Sequence, residues 1–481
     1  MGLFLSMHRR GFIRTSAAAA AGALAWPPSP ALAQAGPPID PFFDDLQART
    51  FRFFWERTNP VNGLTPDRYP SAPFSSIASV GFALTAYPIG VERGWVSRAA
   101  ARARVLATLR FFDTAPQGPG RGGVAGYKGF FYHFLDMRDG LRFRGIELST
   151  VDTALLLMGM LFCQSYFDRA DGEEAEIRAL AERIYGRVDW EWAQQPPARS
   201  PAINLGWKPE SGFLRYSWRG YNEATIVYLL ALGSPTHPAT GNAWSAWQRD
   251  FDRTWGAGSA SSPYLGFPPL FGHQYPHVWV DYRGIRDSYM RGRGIDYFEN
   301  SRRATYDQRA YAITNPLRWK GYGPDIWGLT ACDGPGNIKH RYLGEMRQFH
   351  NYAPRGPGPR DDGTIAPTAA LGSIAFAPEI CVPAALAMNE AYGQYILGPY
   401  GFLDAFNPSF DFHDVRPKTG RVVPGVGWIG PDYLGIDQGP IVAMLENWRS
   451  GLIWRVMRGN AHLVRGLRAA GFTGGWLEAS G

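Results

Sequence analysis

Apolar residues along this chain recur mostly at three- and four-residue spacing, the period of a helix that buries one face. Phe42, Phe43, Leu46, Phe53 and Phe54 mark an amphipathic stretch over 41–58. Residues 74–87 read as a more apolar helix, 96–112 as an Ala- and Arg-rich one with a charged outer face, and 148–167 as almost wholly apolar. Residues 172–190 are charged along one side, 220–232 are apolar again, and 243–254 are amphipathic. The pattern resumes over 378–392, 440–457 and 461–470. A helix apolar all round is buried, and a one-sided helix covers it. An inner ring of buried helices sheathed by an outer ring satisfies this order. The pattern therefore predicts an all-α chain, an α/α toroid in a single domain over residues 36–481. A helical solenoid is the rival, but no fixed repeat period runs through the sequence.

Two stretches break the helical pattern. "GFFYHFLDMRDGLRFRGIELS" alternates on both sides of Asp139-Gly140, a hairpin turn dipeptide. Residues 256–378 read as long Gly/Pro-rich loops, of the kind that carry function on a compact domain.

The N-terminus changes where the protein is expected to work. Residues 8–14, "HRRGFIR", read as a twin-arginine export motif, followed by an Ala-rich run and Ala31-Leu32-Ala33 as a cleavage site. Residues 1–35 are thus an export signal, and the mature protein is expected in the periplasm or outside the cell. The apolar run is too short and Pro-broken to span a membrane. Residues 1–35 carry Arg9, Arg10 and Arg14 and no acid, so the formal charge of +7 falls to +4 without them. A charge that small gives no reason to expect nucleic acid as a partner, and Arg291 and Arg293 read as a solvated loop. Cys163, Cys332 and Cys381 are odd in number and widely spaced, with neither a disulfide framework nor metal spacing. No metal and no cofactor is expected, and the protein is expected to be a monomer.

The candidate chemistry lies at helix mouths. In "GIELSTVDTALLLMG", Ser149 and Asp152 form a capping-box pattern, and Glu147 stands just ahead of it. In "GYNEATIVYLLALG", Asn222 reads as an N-cap with Glu223 behind it. In "GIDQGPIVAMLEN", Pro440 suits a first helical position and Asp437 precedes it. Inner helices of a toroid run parallel, so their N-termini share one rim, and Glu147, Glu223 and Asp437 can meet there. Two carboxyls across a cleft are what glycoside hydrolysis requires, one as acid and one as base or nucleophile. Glu223, enclosed beside Tyr221, is the expected acid and Asp437 the base, with Glu147 holding sugar hydroxyls. Trp207, Trp218, Tyr221, Trp279, Trp327 and Trp428 occupy Gly/Pro-flanked segments where a ring can stack on a pyranose. Tyr132 and His133 on the hairpin can face a ligand. Asp136 and Asp152 have turn and capping roles open to them as well.

At this point the chain resembles the bacterial glucoamylase-like domain family, which includes the endo-β-1,2-glucanases of glycoside hydrolase family 144. The stretches that carry the resemblance include "YHFLD", "ELSTVDTALLL", "LGWKPESGF", "YNEA", "HVWVDYRG", "WGLTACDGP", "FLDAFN" and "GIDQGP", in order over most of the chain. The resemblance implies an (α/α)6 barrel, a glycan cleft at one rim, and no cofactor. It also implies endo action on β-1,2-glucan to give sophoro-oligosaccharides. By motif, the family's functional carboxylates fall on Glu147, Glu223 and Asp437, and Asn222 stands where an Asp is also common. Phe402 and Asn407 of "FLDAFN" and His277 of "HVWVDYRG" join the substrate-contacting candidates. Two other classes stand beside the hydrolase. One is a polysaccharide lyase using Tyr132, His133 or His277 as acid and base. The other is a non-catalytic glycan-binding protein. A lyase product absorbs in the ultraviolet, a hydrolase product adds reducing ends, and a binder gives neither.

Overall fold

Six helices of the computed structural model are buried on almost every side. The structure describes residues 40–71, 74–194, 201–240, 242–258 and 262–478, and the expected export signal lies outside them. The six are α1 (Ile77–Glu92), α2 (Thr150–Tyr166), α3 (Thr225–Gly233), α4 (Phe271–Trp279), α5 (Pro367–Leu371) and α6 (Gly435–Arg449). Their sequences explain their position. In α1 every residue from Ile77 to Gly90 is buried, and in α3 every residue is, so neither has a face to offer water. The helix α1 packs against α2 and α6, α2 against α3, and α6 against α4 and α5. At the α1–α2 crossing a Cβ on Gly81 would stand 2.3 Å from the Leu155 carbonyl oxygen, and one on Gly159 2.2 Å from that of Gly81. The two backbones touch there because neither side carries a side chain.

Cross-links between the buried helices are polar. Gln274 of α4 donates to the Ala369 carbonyl of α5 at 2.8 Å, and Thr368 of α5 donates to the Asp437 carbonyl of α6 at 2.8 Å. Asn447 of α6 donates to the Val278 carbonyl of α4 at 2.9 Å. Such bonds fix the register of helices that apolar packing alone would let slide.

One-sided helices cover the buried set. Pro41–Arg57 lies on α6 and α1, Arg98–Thr114 on α1, Gly172–Gly186 on α2, Ala461–Ala469 on α3, Tyr297–Thr314 on α4 and Pro378–Ile396 on α5. The described residues are mostly helical, as the periodicity requires, with a few short strands. Short two- and three-stranded antiparallel sheets recur throughout. Three of them stand at helix mouths. Phe74–Ser76 runs into α1 and pairs with Phe134–Asp136; Leu148–Ser149 runs into α2 and pairs with Gly206–Lys208; Tyr433–Leu434 runs into α6 and pairs with Arg68–Tyr69. Each ladder satisfies backbone groups ahead of a helix start and pins that start to a distant segment.

The turn at Asp139-Gly140 is present, with Gly140 at φ +72°. Its arms differ from the expected hairpin, because 134–136 spend their ladder on 74–76 and meet the return arm only at the Leu135–Arg142 bridge. Residues 256–378 are not simply loops: they contain α4, α5 and the Tyr297–Thr314 helix.

Candidate active site

The mouth of α2 assembles a linked acid–imidazole–acid group. Ser149 caps the helix, accepting from the Asp152 N–H at 3.2 Å, and its hydroxyl donates back to Asp152 Oδ2. The capping role expected of Asp152 is therefore real, but its other oxygen lies 3.5 Å from His133 Nε2. Nδ1 of the same ring meets Glu147 Oε1 at 3.1 Å. Backbone pairing sets this up, since the His133 N–H donates to the Glu147 carbonyl at 3.0 Å. Burial alone would lower the imidazole pKa. The charges of Asp152, Glu147 and Asp67 outweigh it and raise the pKa to about 9. In return, burial would raise Glu147, but the His133 bond and charge hold its carboxyl below the ordinary range.

Glu223 has no such partner. The helix α3 starts at Thr225 with Ala224 as its cap, so Asn222 is not the N-cap. Its side chain instead accepts from the Ala224 N–H at 3.0 Å and from the Trp247 indole at 3.3 Å, forming a turn that holds Glu223 ahead of the helix. Oε2 of Glu223 is buried without a donor. Burial raises its pKa to about 7; its own backbone N–H works against this and the Asp152 charge adds to it.

Asp437 sits inside the first turn of α6, which begins at Gly435, so Pro440 is an interior residue and not the helix start. Its Oδ2 is buried and finds no donor. Around it stand acids that the sequence reading passes over. Asp404 lies within electrostatic reach of Asp437. Oδ2 of Asp404 accepts from the Asp333 N–H at 2.7 Å. Arg68 joins Asp333 at 2.7 Å and Asp67 at 3.0 Å. Burial, then the charge of Asp404, raises Asp437 well above the carboxylate range, and burial with Asp333 raises Asp404. Both new acids lie in stretches that carry the family resemblance: Asp333 in "WGLTACDGP" and Asp404 in "FLDAFN".

Tyr275 of α4 ties the mouths together. Its hydroxyl is raised well above its ordinary pKa by burial, then by Asp437, Tyr352, Glu223 and Asp152. One phenol thus lies within electrostatic reach of the α2, α3 and α6 mouths. Tyr352, 38% exposed, lies within electrostatic reach of Asp437, Asp404, Asp67 and Asp333. Neither tyrosine carries a local sequence signal.

Most of the remaining candidates are structural. Tyr132 is fully buried under the Arg142 guanidinium, 4.6 Å away. Asp136 spends its carboxylate on its own turn, accepting from the Arg138 N–H at 2.9 Å and from the Arg138 guanidinium. Tyr221 is buried, with its ring stacked on Tyr297. His277 is buried with Nε2 against Ser301 Oγ at 3.0 Å, and burial lowers its pKa well below the usual imidazole value. Trp279 lies within α4, not in a loop, and donates to Thr85 of α1 at 3.0 Å. Trp327 and Phe402 are sealed in the interior. Asn407 is also buried and holds the Asp362 carbonyl and Thr364 at 2.9 and 3.0 Å. Trp428 belongs to a second apolar cluster with Trp319, Phe349 and Phe410, formed where loops fold over one another. Trp207 and Trp218 keep partial exposure. Trp218 donates to Thr150 at the α2 mouth at 2.9 Å, while the Trp207 ring packs on Tyr127 at 5.1 Å. A surface groove of about 610 Å³ lined by Gln117, Tyr127, Lys128, Arg187 and His237 contains none of the carboxyls at the helix mouths.

Comparison with known proteins extends the picture. The family model described as "Putative glucoamylase" matches residues 215–461. The exo β-1,2-glucooligosaccharide sophorohydrolase (non-reducing end) of Parabacteroides distasonis is 27% identical over 455 residues, covering 88% of this chain. The alignment covers 57% of that relative, so this chain spans little more than half its length. A crystal structure from Bacteroides uniformis with the same glucoamylase description is 31% identical, with a TM-score of 0.77 over 90% of this chain and 98% of that one. The endo-β-1,2-glucanase of Chitinophaga pinensis, solved with sophorotriose and glucose, is 27% identical, with a TM-score of 0.77 over 91% of this chain and 99% of that one. The family match spans more than half of the sequence and the Bacteroides structure almost all of it: the chain belongs to the glucoamylase-like family.

Proposed function

We propose that this protein is a glycoside hydrolase that cleaves β-1,2-linked glucan internally to give sophoro-oligosaccharides. The observation that carries the reading is the contrast between its carboxyls. Glu223 is half-buried, its Oε2 is buried with no donor, and its carboxyl is poised near neutrality; it shares Tyr275 with the acids at the α6 mouth. In this reading the six buried helices and their covers form an (α/α)6 barrel. Endo action is favoured by alignment over nearly the whole of the Chitinophaga endo-glucanase, against 57% of the exo-acting relative. The twin-arginine motif supports work outside the cytoplasm, and no described helix is long and apolar enough to cross a membrane.

Glu223 donates its proton to the glycosidic oxygen as the C1–O bond breaks. Water attacks C1 from the opposite face and gives its proton to Asp437, whose raised pKa makes it a strong base in the fraction that is ionised. Glu147, kept ionised by His133, accepts hydrogen bonds from sugar hydroxyls. A base acting on water inverts the anomeric centre. Of the lyase candidates, His277 and Tyr132 are sealed in the interior, and His133 is engaged between Glu147 and Asp152.

The test is digestion of β-1,2-, β-1,3-, β-1,4- and β-1,6-glucans, with products sized and their anomers read by NMR in the first minutes. The expected result is short β-1,2-oligosaccharides released as α-anomers, and no release by Glu223→Gln. No new reducing ends from β-1,2-glucan would overturn the substrate, and β-anomers would overturn the base.

A further inference from the structure

The main chain that presents Glu147 has little of its own to hold it. Arg144 stands at φ +54°, a left-handed conformation that a residue with a Cβ disfavours, and Arg144 and Gly145 are exposed. Three donors from elsewhere fix the carbonyls that follow. Lys208 Nζ donates to Gly145 at 2.9 Å, Arg142 Nε to Ile146 at 2.7 Å, and the His133 N–H to Glu147 at 3.0 Å. Arg142 is itself held firmly. Its guanidinium lies 4.6 Å over the Tyr132 ring and reaches the Arg121 carbonyl at 3.2 Å. Both of its terminal nitrogens bond the Glu210 carboxylate, at 2.7 and 3.0 Å. Such a fork gives the guanidinium one orientation. The Arg142 side chain is 1% exposed, so it cannot touch a sugar. Glu210 belongs, with Lys208, to "LGWKPESGF", a stretch that carries the family resemblance but supplies none of the acids at the helix mouths.

We propose that Arg142 and Glu210 are positioning residues: Glu210 orients the guanidinium, the guanidinium holds the Ile146 carbonyl, and that hold places the Glu147 carboxylate against His133 and the sugar. The proposal rests on the hydrolase reading for the sugar alone, since the contact with His133 belongs to the free protein. That contact leaves little slack. Glu147 Oε1 stands 3.1 Å from His133 Nδ1, so a main-chain shift of about 1 Å takes it out of hydrogen-bond range. The bonds from Arg142 also hold the Glu210 carboxyl down to about 2, so the pair stays charged while His133 is titrated.

His133 therefore reports on Glu147 without substrate. The acids facing its ring are Asp152, Glu147 and Asp67, and together they raise it to about 9. NMR titration of the imidazoles, with His133 assigned by the signal lost in His133→Gln, reads the effect in two variants. In Glu210→Ala the fork is gone, and the His133 pKa should fall by about 0.5 or more. In Glu210→Gln an amide oxygen still accepts from Arg142, so the fall should be less than half as large, although the charge removed is the same. The comparison separates a displaced Glu147 from the loss of a distant charge. An unmoved His133 in Glu210→Ala, or equal shifts in the two variants, would overturn the proposal whatever happens to the melting temperature. The second measurement is calorimetric binding of a β-1,2-glucooligosaccharide in a Glu223→Gln background, where cleavage is off. Adding Glu210→Ala should weaken binding about fivefold or more, and should weaken it no further once Glu147→Gln is present. Independent, multiplying losses would overturn the route through Glu147. A His133 shift of the expected size in a protein that neither binds nor cleaves β-1,2-glucan would fault the substrate and leave the positioning pair standing.

Discussion

Glu223→Gln should make the protein more stable while disabling it, and only above a defined pH. The carboxyl has an ordinary pKa of 4.5 and one of about 7 in the fold, mainly through burial. Between those values the native state holds a proton that the unfolded chain has released, so unfolding free energy falls as pH rises. The full loss, complete above pH 7, is about 3 kcal/mol at 1.36 kcal/mol per pH unit. Glutamine has nearly the same shape and no charge to bury, so the variant escapes the loss. Urea unfolding of both proteins at pH 4.5 and pH 8 measures it. The variant should match wild type at the lower pH and exceed it by about 3 kcal/mol at the higher. In the same preparation, turnover on unactivated glucan should fall about a thousandfold or more. A variant whose stability difference from wild type is the same at both pH values would refute the buried, raised carboxyl and with it the acid role.

His133→Gln should act in the opposite direction. The imidazole pKa rises from 6.5 to about 9 in the fold, so its stabilisation is complete below pH 6.5 and lost as pH climbs through 9. The variant should be less stable by up to about 3 kcal/mol at pH 6, and by much less at pH 9.5, in the same unfolding assay. Gly81→Ala should destabilise by about 1–3 kcal/mol or more at every pH, because its Cβ would meet the Leu155 carbonyl at 2.3 Å. An unchanged thermal midpoint would mean that α1 and α2 are not in backbone contact.

How far the fold is legible follows from what each helix buries. The helices α1, α2, α3 and α6 announce themselves as apolar runs. Two signals at their starts mislead: Asn222 makes a turn two residues before the cap of α3, and Pro440 lies inside α6. The stretch 256–378 hides its helices for a different reason. The helix α4 contains Pro276, two buried histidines and Gln274, and α5 is five residues long. The Tyr297–Thr314 helix buries Asn300, Ser301, Thr305 and Gln308, which are held by hydrogen bonds such as Gln308 to the Leu329 carbonyl at 2.8 Å. A face buried through polar bonds has no hydrophobic period to read. The aromatic residues mislead for the converse reason. Trp428 stands in Gly-rich sequence that looks exposed, yet those loops close over a cluster of their own.

The site divides along the same line. A carboxylate at a helix mouth is a local feature and can be read locally. Its protonation cannot, because that depends on what distant segments bring. Glu147 and Glu223 both precede buried helices, so position alone gives them the same character, and a helix dipole would lower both. The fold separates them. The segment carrying His133 sets an imidazolium against Glu147 and holds it ionised, whereas Glu223 is desolvated ahead of α3 and meets, in Asp152, only further negative charge. Two like groups driven to opposite states are what acid–base division requires. The acids at the α6 mouth follow from pairings just as remote, since Arg68 reaches them through the strand that Arg68–Tyr69 forms with Tyr433–Leu434, and Asp404 through its bond to Asp333. Chemistry in this protein is therefore assigned less by which acids head the helices than by which strands the fold lays beside them. A substitution that moves one of those strands should alter protonation states without touching a carboxyl.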